Sequence, residues 1–85
     1  MKAKVRLFAR LGELAGMREA EVELGEGLTA AEVYELLSRD YPKLAGLGEI
    51  LRYAVNGEYV TATHPVGEND EVALIPPVSG GAGAV

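Results

Sequence analysis

One stretch of this 85-residue chain, Thr29 to Tyr41, repeats its apolar residues at helical spacing, and the long segments flanking it mostly alternate instead. Thr29-Ala30-Ala31-Glu32 opens the stretch as a capping box, in which hydroxyl and carboxylate each satisfy a backbone N–H left free at a helix start. Ala30, Val33, Leu36, Leu37 and Tyr41 then share one face, the spacing of a helix that buries one side. Pro42 cannot continue it. The predicted main helix runs from Ala30 to Tyr41.

Around that helix the reading is of strands. Residues 3–9 place Ala3, Val5, Leu7 and Ala9 on one face and Lys4, Arg6 and Phe8 on the other. Leu11 to Ala15 form one helical turn, ended by Gly16. Ala20, Val22 and Leu24 point inward from a second strand, with Glu21 and Glu23 outward, and Gly25-Glu26-Gly27 breaks the pattern. Residues 43–51 read as irregular. Residues 52–60 form two short strands around Asn56-Gly57, a two-residue hairpin signal of the type I′ kind. Glu68-Asn69-Asp70 is a further turn, with Asn69 suited to positive φ. Val72-Ala73-Leu74-Ile75 is the last strand, stopped by Pro76-Pro77. The order strand, strand, helix, hairpin, strand is that of a two-layer α+β domain. A folded unit over residues 1–78 and a flexible tail over 79–85 follow, because Val78 to Val85 include three glycines and no large side chain.

Composition narrows the function. A chain of this length buries about 60–65% of its unfolded surface, enough for one thin core and no sizeable cleft. An apolar fraction of 48% with 25% charged residues is that of a globular domain, not a disordered one. No apolar run reaches a membrane span or a signal peptide, and there are no cysteines, so a cytoplasmic setting without disulfides or thiolate metal sites is expected. The net charge of −5 argues against nucleic acid and anionic membranes as partners. Residues 1–10 nevertheless hold four bases, Lys2, Lys4, Arg6 and Arg10, and no acid, while the remainder sets thirteen acids against four bases. One basic strand in an acidic molecule suits a docking surface.

Catalytic constellations are missing from this pattern. His64, the only histidine, precedes a proline and reads as a solvated loop residue; Glu32 and Glu35 read as a cap and a solvated face. The glycines match neither a phosphate loop nor a dinucleotide fingerprint, and Ser79 has no base to activate it. No metal site and no bound cofactor are expected.

Two features exceed what folding needs. Phe8 shares the outward face with Lys4 and Arg6, and Ile75 lies opposite the inward Val72 and Leu74. On adjacent strands, rimmed by Arg6 and Arg10, they would form a contact patch. The second feature is Gly80-Gly81 on the tail, which has no side chain to obstruct entry into a narrow channel.

The segment Ala73-Leu74-Ile75-Pro76-Pro77-Val78-Ser79-Gly80-Gly81 closely resembles the ending of the molybdopterin synthase small subunits, a ubiquitin-like sulfur-carrier family. Lys4-Val5-Arg6-Leu7-Phe8-Ala9-Arg10-Leu11-Gly12-Glu13-Leu14-Ala15-Gly16 is similar to that family's first strand and helical turn, and Ala54-Val55-Asn56-Gly57 to its central hairpin. The double proline is the specific part; thiamine-pathway carriers and ubiquitin-like modifiers share the diglycine but usually not Pro-Pro. The resemblance implies a β-grasp fold, a mixed sheet of four to five strands on one main helix, with the first and last strands parallel and central and Phe8 beside Ile75. It implies that an E1-like enzyme uses ATP to adenylate Gly81, that a sulfur donor converts the adenylate to a thiocarboxylate, and that the tail enters the large synthase subunit. Phe8, Ile75, Pro76, Pro77, Val78, Ser79, Gly80, Arg6 and Arg10 would then contact partners, and the chain would be a carrier without an active site of its own.

The family's chains normally end at the diglycine, whereas Ala82-Gly83-Ala84-Val85 follow it here. A processing protease would have to free the Gly81 carboxylate. The alternatives are a carrier for another thiolation pathway or a ubiquitin-like modifier, and a non-carrier β-grasp interaction domain whose tail is inert.

Overall fold

The alternation at the start of the chain becomes a strand whose side chains are in turn exposed and buried. In a computed structural model, which describes residues 2–25 and 27–77, β1 spans Lys2–Leu7 and buries Ala3, Val5 and Leu7. The strand stops two residues short of the sequence expectation. Ala9, expected inward, is exposed at φ 52, because the chain turns there to start the short helix α1, Arg10–Ala15. Gly16 closes α1 in the left-handed region at φ 77, where a side chain would be strained.

β2, Glu19–Glu23, pairs antiparallel with β1, and α2, Ala30–Asp40, follows. Both bonds of the predicted capping box are present: the Glu32 N–H donates to Thr29 Oγ1 at 3.3 Å and the Thr29 N–H to Glu32 Oε1 at 2.9 Å. Ala30, Val33 and Leu37 are buried as the spacing predicts, but Leu36 and Tyr41 are only half-buried. Tyr34, absent from the predicted face, is buried instead. Its hydroxyl donates to the Leu44 carbonyl and accepts the Leu47 N–H, and so ties α2 to the segment after it. That segment is more ordered than its glycines suggest, beginning with a 3-10 turn at Pro42–Leu44 whose Leu44 is fully buried.

The hairpin β3, Arg52–Val55, and β4, Glu58–Val60, turns at Asn56 and Gly57, both at positive φ, as the dipeptide requires. β5, Glu71–Ile75, completes a five-stranded mixed sheet in the order β2-β1-β5-β3-β4. The central pair β1 and β5 is parallel, and every other pair is antiparallel. Registers align Val5 with Val72 and Leu7 with Leu74, and these residues meet Val33 and Leu37 of α2 and Leu11 of α1 in one core. The helices cover one face of the sheet, and the other is open.

Candidate functional site

The open face carries the residues that the sequence left without a core to fill. Arg6 stands opposite Ala73 and Leu7 opposite Leu74, and the Phe8 N–H donates to the Leu74 carbonyl at 3.3 Å. The parallel pairing thus continues one step past β1 and brings Phe8 beside Ile75. Phe8 is 43% exposed and Ile75 half-buried. On its other side Ile75 faces Arg52 of β3.

A second row lies two residues further in on the same face and was not foreseen. It runs from Arg6 through Ala73 and Ala54 to Tyr59 on β4. Tyr59 is 72% exposed, the most exposed large apolar side chain among the described residues. Ala54 is buried yet lies outside the core cluster, as a small residue in the middle of an open face can. The Asn56-Gly57 turn already sets Tyr59 across from Ala54; the missing signal was the pairing of β3 with β5, a contact between distant segments that no local pattern encodes.

Arg6 sits within this surface. Its guanidinium carbon is 5.8 Å from the centroid of the Phe8 ring, within cation–π reach, and its nitrogens are 4.0 Å from a Glu19 carboxylate oxygen and 3.9 Å from one of Glu71. These exposed pairs hold the side chain over the sheet while adding little stability. Arg10 follows as the exposed first residue of α1. Beyond Ile75 come Pro76, half-buried, and Pro77, exposed; Val78, Ser79, Gly80 and Gly81, and with them the 78/79 boundary, lie outside the described residues. Two open concavities lie on the described surface. One, of about 550 Å³, is lined by Arg6, Phe8, Gly12, Glu13, Met17 and Arg18 among others, and the second, of about 490 Å³, by Arg52, Tyr53, Tyr59 and Val60 among others.

At the far end of the sheet the polar groups face each other. The Gly67 N–H donates to Asp70 Oδ2 at 2.8 Å and the Asn56 amide to Asp70 Oδ1 at 3.0 Å, while Asn56 Oδ1 accepts the Glu71 N–H. The backbone donor foremost, then Asn56, holds the Asp70 carboxyl below its usual range, with a smaller push from His64. Burial, with Tyr34 and Glu35 nearby, pushes the Tyr53 hydroxyl up. Among the described residues no group of three or more histidines and carboxylates could hold a metal ion, and no helix is long and apolar enough to cross a membrane.

The sequence profile of the ThiS family matches residues 5–81. The chain belongs to the ThiS family. That match ends on Gly81, with Ala82 to Val85 outside it. Among ThiS relatives, the molybdopterin synthase sulfur carrier subunit of Arabidopsis thaliana is 36% identical over 81 residues, covering 95% of this chain and 84% of that protein. The protein of the same name from Chlamydomonas reinhardtii is 36% identical over 83 residues, covering 95% of this chain and all of that one. The crystal structure of SAMP1 from Haloferax volcanii superposes with a TM-score of 0.84 at 30% identity, over 95% of this chain and 100% of that one. The ubiquitin-like β-grasp architecture expected from the sequence is thus the one found.

Proposed function

We propose that this ThiS-family protein is the sulfur carrier subunit of a molybdopterin synthase, and that Gly81 carries the sulfur as a thiocarboxylate for molybdenum cofactor biosynthesis. The observation that carries the reading is the family match running through the diglycine to Gly81, in a chain whose curated relatives bear that name. The open sheet face supports it. Phe8 and Ile75 lie side by side at the end of β5 from which the tail departs, so a partner that grips the patch also receives the tail.

In this reading the chain supplies position and a reactive end, while the chemistry is done in its partners' sites. A carboxylate is a poor electrophile. An E1-like enzyme therefore joins the Gly81 carboxylate to the α-phosphate of ATP with release of pyrophosphate, and a sulfur donor then displaces AMP. The large synthase subunit receives the tail and passes the sulfur to the pterin precursor. Because Ala82 follows Gly81, a protease must first cut the Gly81–Ala82 bond. The cytoplasm, where ATP and the precursor are available, is the proposed setting.

The test is ATP–pyrophosphate exchange with the cognate adenylating enzyme. The chain ending at Gly81 should support exchange, and the 85-residue chain should not, because an amide carbonyl has no carboxylate oxygen to attack phosphorus. Equal exchange by both would remove the trimming step, and none from the shorter chain would leave an inert interaction domain. A second reading, that of a protein modifier, is favoured by the close superposition on SAMP1, a small archaeal modifier protein. Intact mass of protein from native cells separates the two. A species ending at Gly81 with one oxygen exchanged for sulfur supports the carrier, and Gly81 joined to lysines of other proteins supports the modifier.

A further inference from the structure

The charged side chains are sorted between the two ends of the sheet. β1 and β5 run parallel and finish at one end, where the antiparallel β2 and β3 begin. Arg6 and Arg10 bracket the end of β1, Arg18 precedes β2 and Arg52 opens β3, so four of the five arginines gather where β5 passes into Pro76 and Pro77. All four are exposed. Among the described residues, Arg6 is shared between Glu19 and Glu71, and Arg10, Arg18 and Arg52 have no carboxylate within ion-pair distance. Among the described residues Glu13, Glu19 and Glu49 share that end, Glu71 reaches Arg6 there, and Asp40 closes α2 beside Lys43 of the 3-10 turn that packs on α1. At the opposite end, Lys2 and Lys4 stand against Glu21, Glu23, Glu58, Glu68 and Asp70. A molecule of net charge −5 is therefore least acidic at the end where β5 passes into Pro76 and Pro77.

We propose that these arginines form a docking collar for a protein surface whose apolar pocket is rimmed by carboxylates. The proposal rests on the carrier reading for which end of the molecule meets the partner. Arg6 lies 5.8 Å from the Phe8 ring and lines a concavity together with Phe8 and Arg18, and Arg52 stands opposite Ile75 in register. A surface that covers Phe8 and Ile75 thus meets guanidinium groups on both sides, and their planar forks suit carboxylates. Exposed charges of this kind govern encounter rate and orientation more than final affinity. An acidic partner repels the molecule as a whole but attracts its collar, so the tail-first approach is favoured and the reverse one penalised.

The experiment measures association and dissociation rates of the full chain with the cognate adenylating enzyme, and separately with the large synthase subunit, over a range of ionic strength. The first partner is common to the carrier and modifier readings. Association should slow as salt rises, although the net charge alone predicts the opposite against an acidic partner. Arg18→Glu with Arg52→Glu should slow association at low salt by about tenfold, with dissociation changed by less than about threefold. Glu58→Gln with Glu68→Gln, at the far end, should leave both rates within about twofold. Circular dichroism confirms that each variant is folded. Rates that rise with salt, or that ignore the arginine reversals, overturn the collar and leave the carrier reading intact. Salt-retarded binding to the enzyme alone keeps the collar and removes the large subunit from the reading. Failure to bind either protein overturns both.

Discussion

Leu7 and Phe8 are neighbours in the chain, as are Leu74 and Ile75, yet the two pairs they form across the sheet do different work. Leu7 and Leu74 face α2 and are 4% and 0% exposed. Phe8 and Ile75, one step along, face away from it, with Phe8 at 43% exposure. All four side chains are large and apolar, so hydrophobicity does not distinguish the pairs; the register does. A shift of one residue between β1 and β5 would exchange the two, turning the exposed pair inward and the core pair outward. On a two-layer fold an apolar residue of the wrong parity is left without a core to fill.

The largest effect should come from the inward pair. Leu74→Ala removes a fully buried side chain from the centre of the sheet and should lower stability by about 3 kcal/mol, a large fraction of what so small a domain has. Urea denaturation measures it. A change below about 1 kcal/mol would mean that the site collapses around the gap and that this pair is not the core's centre.

Next comes the outward pair. Phe8→Ala should weaken binding to the adenylating enzyme or the large subunit by about 2 kcal/mol. Its unfolding midpoint should move little, because the ring is not part of the core cluster. Calorimetry and denaturation on the same sample separate the two quantities. Unchanged affinity or global unfolding would erase the contrast with Leu74. Tyr59→Ala extends the same test along the second row, with a smaller expected loss of about 1 kcal/mol in affinity, since its position on the edge strand β4 makes it the rim of the patch.

The contrast between faces was legible in the sequence because strand parity is local: Val5 and Leu7 against Arg6 and Phe8, Val72 and Leu74 against Ile75. The capping box and the Asn56-Gly57 turn were legible for the same reason, each being settled within four residues. What escaped was set by distant contacts. Ala9 was assigned inward because alternation continues through it, but the backbone turns into α1 and leaves it exposed. Tyr34 is the exception: four residues after Ala30 and three before Leu37, it lies on the face that helical spacing selects and was left off it. Only the bonds of its hydroxyl to Leu44 and Leu47, ten and more residues on, depend on distant contacts. Arg52, Ala54, Ala73 and Tyr59 joined the surface only through the pairing of β3 with β5.

The smallest effect concerns what holds that register. At the start of β5 the Lys4 N–H donates to the Asp70 carbonyl at 3.0 Å and the Asn69 N–H to the Lys2 carbonyl at 2.9 Å, while the Asp70 carboxylate binds Gly67 and Asn56. Asp70 thus joins the turn before β5 to the β3–β4 hairpin and, through its backbone, to β1. Asp70→Ala should cost about 1 kcal/mol at neutral pH, since the bonds it removes lie at a partly exposed site. The sign of the pH dependence follows from the lowered carboxyl, whose ordinary value is 3.8. Well above that value Asp70 is ionised in both folded and unfolded chains, and its contribution is present in full. As pH falls through 3.8 toward the folded value the unfolded chain takes up the proton first, and the contribution fades. The stability difference between wild type and Asp70→Ala should therefore be constant from pH 7 to about 5 and shrink below about 4. A gap that stays constant into the acid range would show that Asp70 acts through backbone geometry and not through its charge, and the register linking Phe8 to Ile75 would then rest on the strand ladder alone.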